Sequence, residues 1–138
     1  MNKTNYLFVY GTLLSNFTVD SAKFLRENAT LVGKAHIHGL LFDLGNYPGA
    51  VYLPHSNFSI KGEVYEIKKE RFNKVFYELD NYEGLDPINE KQNEYIKDFV
   101  VANVEGKEMT VITYLYQQSC NKLKLIDCGF YPEYMTKN

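Results

Sequence analysis

Strand-like apolar runs and alternations dominate this chain, and helical spacing appears in two places. Tyr6-Leu-Phe-Val-Tyr10 is a short apolar run that reads as a buried first strand, ending at Gly11-Thr12. Over 18–27, Val19, Ala22, Phe24 and Leu25 follow a cap at Thr18 or Asp20, which predicts a short helix. Residues 30–43 carry Leu31, Val32, Ala35, Ile37, Leu40 and Phe42 with glycines at 33 and 39. That pattern predicts one long bent strand, or two short ones, bending at a glycine.

Residues 45–49 are a turn by composition, and Pro48-Gly49 suits type II, with proline presetting one φ and glycine accepting the positive one. A strand over 50–53 stops at Pro54, and 58–67 alternate through Phe58, Ile60, Gly62 and Val64 to Tyr65 as the next strand. Lys68 to Tyr82 is the main helix, with Gly84 placed as its left-handed terminator. Tyr95–Val104 and Met109–Tyr116 flank Glu105-Gly106-Lys107 as a β-hairpin. The tail after 120, with Leu123, Leu125, Ile126 and Phe130, reads as a final short strand or an extended cover.

Strands outnumber helices, and the hairpin signals favour antiparallel pairing. The expected fold class is α+β: a small, mixed or antiparallel closed β-barrel with helices packed on it. No repeat, low-complexity run or linker divides the chain, so 1–138 is read as one domain. A chain of this size can bury roughly two-thirds of its unfolded surface.

Composition removes several function classes. The net charge is −2 and the basic residues are scattered, so nucleic-acid binding has no electrostatic footprint. No signal peptide or membrane-spanning apolar run is visible, which makes a cytoplasmic protein the expectation. Cys120 and Cys128 have no histidine or basic residue at an informative spacing, and His36, His38 and His55 are not spaced like a metal-ligand set. His36 and His38 alternate and face one side of a strand. No metal site is expected. Twelve tyrosines carry polar tips on apolar bodies, a type that suits pocket walls as well as strands.

Three segments carry candidate chemistry. In Phe72-x-x-Val75-Phe76-x-x-Leu79-Asp80-Asn81-Tyr82-Glu83-Gly84, positions 72, 76, 79 and 83 share one helix face. Glu83 therefore stands where the pattern calls for an apolar residue. Burial and the negative end of the helix would both raise its pKa, as acid/base catalysis requires. Periodicity alone leaves this level with a frayed helix end that turns Glu83 to solvent. Asp80 competes for the role but lies off the apolar face. The turn at Gly11-Thr12-Leu13 after a buried strand allows close approach of a ligand, and its amides can face an anion; at a strand end a glycine is also simply a turn. Tyr47-Pro48-Gly49 is a turn that can also hold Tyr47 at a pocket rim.

Taken in order, Tyr10-Gly11-Thr12-Leu13, Tyr47-Pro48-Gly49, Gly62-Glu63-Val64-Tyr65, Leu79-Asp80-Asn81-Tyr82-Glu83 and Tyr95-Ile96-Lys97 resemble the gamma-glutamyl cyclotransferase-like family. The stretch Lys122 to Gly129 also resembles the tail of its small bacterial members. No single motif is specific, but five in register are. The resemblance implies a small mixed barrel with two or three helices and a cofactor-independent enzyme. It implies that Glu83 is the acid/base, and that Tyr10, Gly11, Thr12, Leu13, Tyr47, Pro48 and Tyr95 surround the substrate. The implied reaction turns a γ-glutamyl amide of an amino acid or amine into 5-oxoproline and a free amine. Lys97 stands where many relatives have arginine, and lysine lacks the guanidinium fork. Two other readings stay open: a non-catalytic module that binds γ-glutamyl compounds, and an amide hydrolase on the same scaffold. The expected partner is a small-molecule substrate, with no nucleic acid or membrane, and the chain is expected to be a monomer or small homo-oligomer.

Overall fold

The computed structural model describes residues 4–137. Its elements run β1 (Tyr6–Val9), α1 (Asp20–Asn28), β2 (Ala29–Asp43), β3 (Pro48–Tyr52), β4 (Ser59–Ile67), α2 (Phe72–Tyr82), β5 (Tyr95–Val104), β6 (Lys107–Tyr116), β7 (Lys124–Leu125) and α3 (Tyr131–Lys137). Single 3₁₀ turns precede α2 and β5. The strand path β2-β4-β1-β6-β5 closes on itself through β2–β5 pairing, making a five-stranded barrel. β1 pairs parallel to β6, and the other barrel pairings are antiparallel. β3 and β7 add to the far half of β2.

β1 is apolar throughout because it is buried on both faces. Phe8 and Tyr10 join Ile37, Val64, Val100, Ala102 and Val111 in the barrel interior. Leu7 and Val9 face the other way, against Leu25 of α1 and Val75, Phe76 and Leu79 of α2. Each such side chain, fully buried, contributes about 1.5–3 kcal/mol. This second layer fixes α2, and with it the position of Glu83, against the outside of the barrel.

β2 is one strand of 15 residues, bulged between Leu31 and Gly33. At Gly39 a Cβ would lie 2.0 Å from the Val51 carbonyl oxygen, so this position lets β3 close onto β2. The β5–β6 connection is a two-residue turn with positive φ at Glu105 (52°) and Gly106 (89°), a conformation matched to hairpin twist.

Three local expectations are corrected. Pro48-Gly49 is not a type II turn. Both residues belong to β3, and the positive φ sits at Gly45 (114°), whose amide donates to Asp43 Oδ1 at 2.7 Å. Gly49 is small for another reason: a Cβ there would meet Tyr116 Cβ at 2.9 Å. At α1 neither Thr18 nor Asp20 caps with its side chain; Val19 is the N-cap residue. The tail forms not only a two-residue strand but also α3, whose Tyr131 is buried, stacks on Phe17 and donates to the Asn46 carbonyl at 3.1 Å.

Candidate active site

A cavity of about 480 Å³, a size typical of small-molecule sites, opens where β1 ends. Its wall comes from the loop after β1, the turn before β3, the end of α2, the start of β5, and Tyr114 of β6. All eight residues singled out in the sequence border it: Tyr10, Gly11, Thr12, Leu13, Tyr47, Pro48, Glu83 and Tyr95.

Glu83 is the C-cap residue of α2. Gly84 follows with φ of 75°, its amide donates to Asn81 O at 3.1 Å, and the Leu85 amide donates to Asp80 O at 2.9 Å. This is a Schellman ending, the left-handed terminator the sequence predicts. It ends the helix without fraying and holds Glu83 at the edge of the apolar stripe, half-buried on the cavity wall. No described residue hydrogen-bonds its carboxylate. Burial first, then the charges of Asp80 and Glu94, push its pKa up to about 8.

The residues around Glu83 are tied to the barrel. The Tyr114 hydroxyl donates to Asp80 Oδ1 at 2.6 Å, and Lys97 Nζ reaches both Asp80 oxygens at 2.9 and 3.2 Å. Lys97 also lies 4.8 Å from the centroid of the Phe76 ring. It does not border the cavity. Its ammonium braces α2 against β5, so the missing guanidinium fork bears on that brace and not on a cavity contact. On the other side, the Tyr82 hydroxyl and Thr12 Oγ1 share a hydrogen bond of 2.6 Å, which joins the end of α2 to the loop after β1.

That loop turns tightly, with the Leu14 amide donating to Gly11 O at 3.1 Å. The amides of Gly11, Thr12 and Leu13 donate to no acceptor among the described residues. A Cβ on Gly11 would lie 2.9 Å from Pro48 Cγ, so the glycine admits the proline ring. Glu63 anchors the loop's far end: its two oxygens take the Ser15 amide (2.8 Å) and the Ser15 hydroxyl (2.6 Å). Glu63→Ala is expected to cost about 1–3 kcal/mol, since both bonds go to a charged group. The check is a lower urea midpoint with unchanged slope; an unmoved midpoint would show that the anchor adds no stability.

The tyrosines contribute ring faces more than free hydroxyls. Tyr10 donates to Tyr114 O at 2.6 Å and Tyr95 to Pro48 O at 2.6 Å. Burial above all raises the pKa of both, so they stay protonated donors. Tyr47 donates to Glu94 Oε1 at 2.6 Å, and that bond, with burial, pushes its pKa up to about 12.

Glu94, Tyr82, Tyr114 and Asn46 also border the cavity and were not singled out in the sequence. Glu94 precedes a strand in a polar stretch and Tyr114 sits mid-hairpin, so neither breaks a pattern. His36 and His38 do share a side of β2, their rings 5.7 Å apart, away from this cavity. No metal-binding cluster occurs among the described residues, and both cysteines are free thiols. No helix among the described residues is long and apolar enough to cross a membrane.

Residues 7–133 match the family model described as "Gamma-glutamyl cyclotransferase, AIG2-like". No curated protein gives a significant match. Among solved structures, YtfP from Escherichia coli is 30% identical with a TM-score of 0.62, covering 91% of this chain and 95% of its own. YkqA from Bacillus subtilis has a TM-score of 0.72 at 22% identity over 98% of this chain, which spans only 42% of that protein. An AIG2-like protein from Mus musculus superposes with a TM-score of 0.59 at 19% identity, over 97% of this chain and 84% of its own.

Proposed function

Because the chain belongs to the gamma-glutamyl cyclotransferase, AIG2-like family, we propose that it converts a γ-glutamyl amide to 5-oxoproline and a free amine, with Glu83 as general acid/base. The observation that carries this reading is a carboxylate with no hydrogen-bond partner among the described residues, on the same small cavity that is bordered by the loop of the three unclaimed amides.

The steps follow from those groups. Ionised Glu83 takes a proton from the substrate α-ammonium. The freed amine attacks the γ-carbonyl carbon of the same molecule and closes a five-membered ring. Attack within one molecule gives a high effective concentration once the chain is held curled, and the rings of Tyr10 and Tyr95 supply walls for that. The amides of Gly11, Thr12 and Leu13 stabilise the developing oxyanion. The bond to the leaving nitrogen then breaks as protonated Glu83 gives its proton there, and the second proton, left on the ring nitrogen by the attack, passes through the re-ionised Glu83 to the freed amine, which departs as an ammonium. No water is consumed, so the second product is the amine alone.

The pKa of Glu83 sets the pH dependence. The free enzyme needs Glu83 ionised, so kcat/KM rises with pH until Glu83 has titrated, near pH 8. Two units below that pKa, the rate constant should lie about a hundredfold under its plateau. In the complex the adjacent α-ammonium favours the carboxylate, so the limb in kcat should fall at lower pH than the limb in kcat/KM. Steady-state rates from pH 6 to 9 test this; a flat kcat/KM over that range would remove Glu83 from the proposed role.

A further inference from the structure

The charges around the cavity narrow the identity of the leaving amine, given the cyclotransferase reading. Two carboxylates border the cavity, Glu83 and Glu94, and no lysine, arginine or histidine does so among the described residues. Lys97 is drawn behind the wall onto Asp80. Acceptance of negative charge therefore falls to neutral donors, chiefly the Gly11–Leu13 amides. The γ-glutamyl group already brings one carboxylate and a carbonyl that becomes anionic. A leaving amino acid adds a second carboxylate, which finds no cation in the cavity and two like charges nearby. A charge removed from water without a partner is costly.

Glu94 is held in place for the opposite kind of group. Its backbone carbonyl takes the Gln117 amide at 2.9 Å, and its Oε1 takes the Tyr47 hydroxyl at 2.6 Å. Oε2 has no partner among the described residues. The residue is exposed, so a cationic group can reach it from solvent without deep burial. Glu83 is occupied in the reaction with the α-amine and the scissile nitrogen, while Glu94 has no task in that chemistry.

We propose that the leaving amine carries a second positive charge and no carboxylate, as a diamine or polyamine does, and that Glu94 receives its cationic end. The test uses three γ-glutamyl amides of matched length, made with putrescine, n-pentylamine and δ-aminovalerate, which end in a cation, a methyl group and an anion. The readout is kcat/KM for 5-oxoproline release. The expected order is putrescine, then pentylamine, then aminovalerate. An exposed ion pair makes the first step about fivefold. In Glu94→Gln the advantage of putrescine over pentylamine should shrink to within about twofold, and raised salt should shrink it in the wild type. An aminovalerate amide turned over as well as the putrescine amide, or an order unchanged by Glu94→Gln, overturns this inference while 5-oxoproline release leaves the cyclotransferase reading standing. Absence of 5-oxoproline from all three, and from γ-glutamyl amino acids run beside them, overturns both.

Discussion

Glu83→Gln is expected to lower turnover of a γ-glutamyl amide by about a thousandfold while leaving a folded protein, because the amide fills the same space and cannot exchange the proton. The same substitution should stabilise the fold at alkaline pH. In the folded chain Glu83 titrates near 8 instead of its ordinary 4.5, so the fold favours the protonated form. The sign follows by linkage: stability is unaffected by this group below the lower value, falls as pH rises between the two, and carries the full penalty above the higher one. Glutamine is neutral throughout and escapes that loss. The group is half-buried and water reaches it, so the gain is put at about 1–2 kcal/mol at pH 9, well under the full shift. Thermal unfolding of both proteins at pH 5 and pH 9 checks this. The curves should differ at pH 9 and converge at pH 5. A variant that is less stable at pH 9 would mean the carboxylate supports the fold, and the raised pKa would be wrong. Gain of stability with loss of activity is what a site carrying a deliberately unfavourable charge should show.

Gly62→Ala is expected to have the largest effect on the fold. A Cβ at Gly62 would lie 2.1 Å from the Val9 carbonyl oxygen and 2.8 Å from the Phe8 ring. The first obstacle is backbone of a paired strand, so it cannot rotate away. β4 would have to separate from β1, breaking the register Val9↔Glu63 and Phe8↔Val64. The cost should be about 3 kcal/mol or more, a large part of the stability of a small domain. Denaturant unfolding reads it directly. Activity should fall with it, since β1 leads directly into Tyr10 and the Gly11–Leu13 loop, and neighbouring Glu63 anchors that loop at Ser15. A variant with an unchanged midpoint would show that the two strands are not so closely apposed.

What could be read in the sequence divides along physical lines. The strands, the main helix and its glycine stop were legible, because burial imposes periods that survive in residue order. Glu83 was legible as an exception to such a period, but whether it faced a cavity or solvent was not. That depends on the Schellman ending and on the strands beyond it. The Pro48-Gly49 motif was visible but misread. Its composition fits a turn, whereas the structure uses proline to meet Gly11 and glycine to admit Tyr116. Contacts of that kind come from residues distant in the chain. α3 was missed because seven residues span too little of a helical period to declare themselves, and Pro132 reads as a breaker although the first turn tolerates it. Glu94 and Tyr114 were missed because an ordinary polar residue before a strand and a tyrosine within one carry no local signal. The roles of Gly62 and Glu63 likewise appeared only as a resemblance, until the closeness of β1 and the bonds to Ser15 gave them a cause.

The central claim is that the γ-glutamyl amide is cyclised within one molecule. Incubation of the purified protein with γ-glutamyl amino acids and amines, followed by mass spectrometry, tests it most directly. The account predicts 5-oxoproline and free amine in equal amounts, in wild type and not in Glu83→Gln. Glutamate in place of 5-oxoproline would mean that water is the nucleophile and the chain is an amide hydrolase. Binding without either product would leave a carrier of γ-glutamyl compounds, and either result contradicts the account.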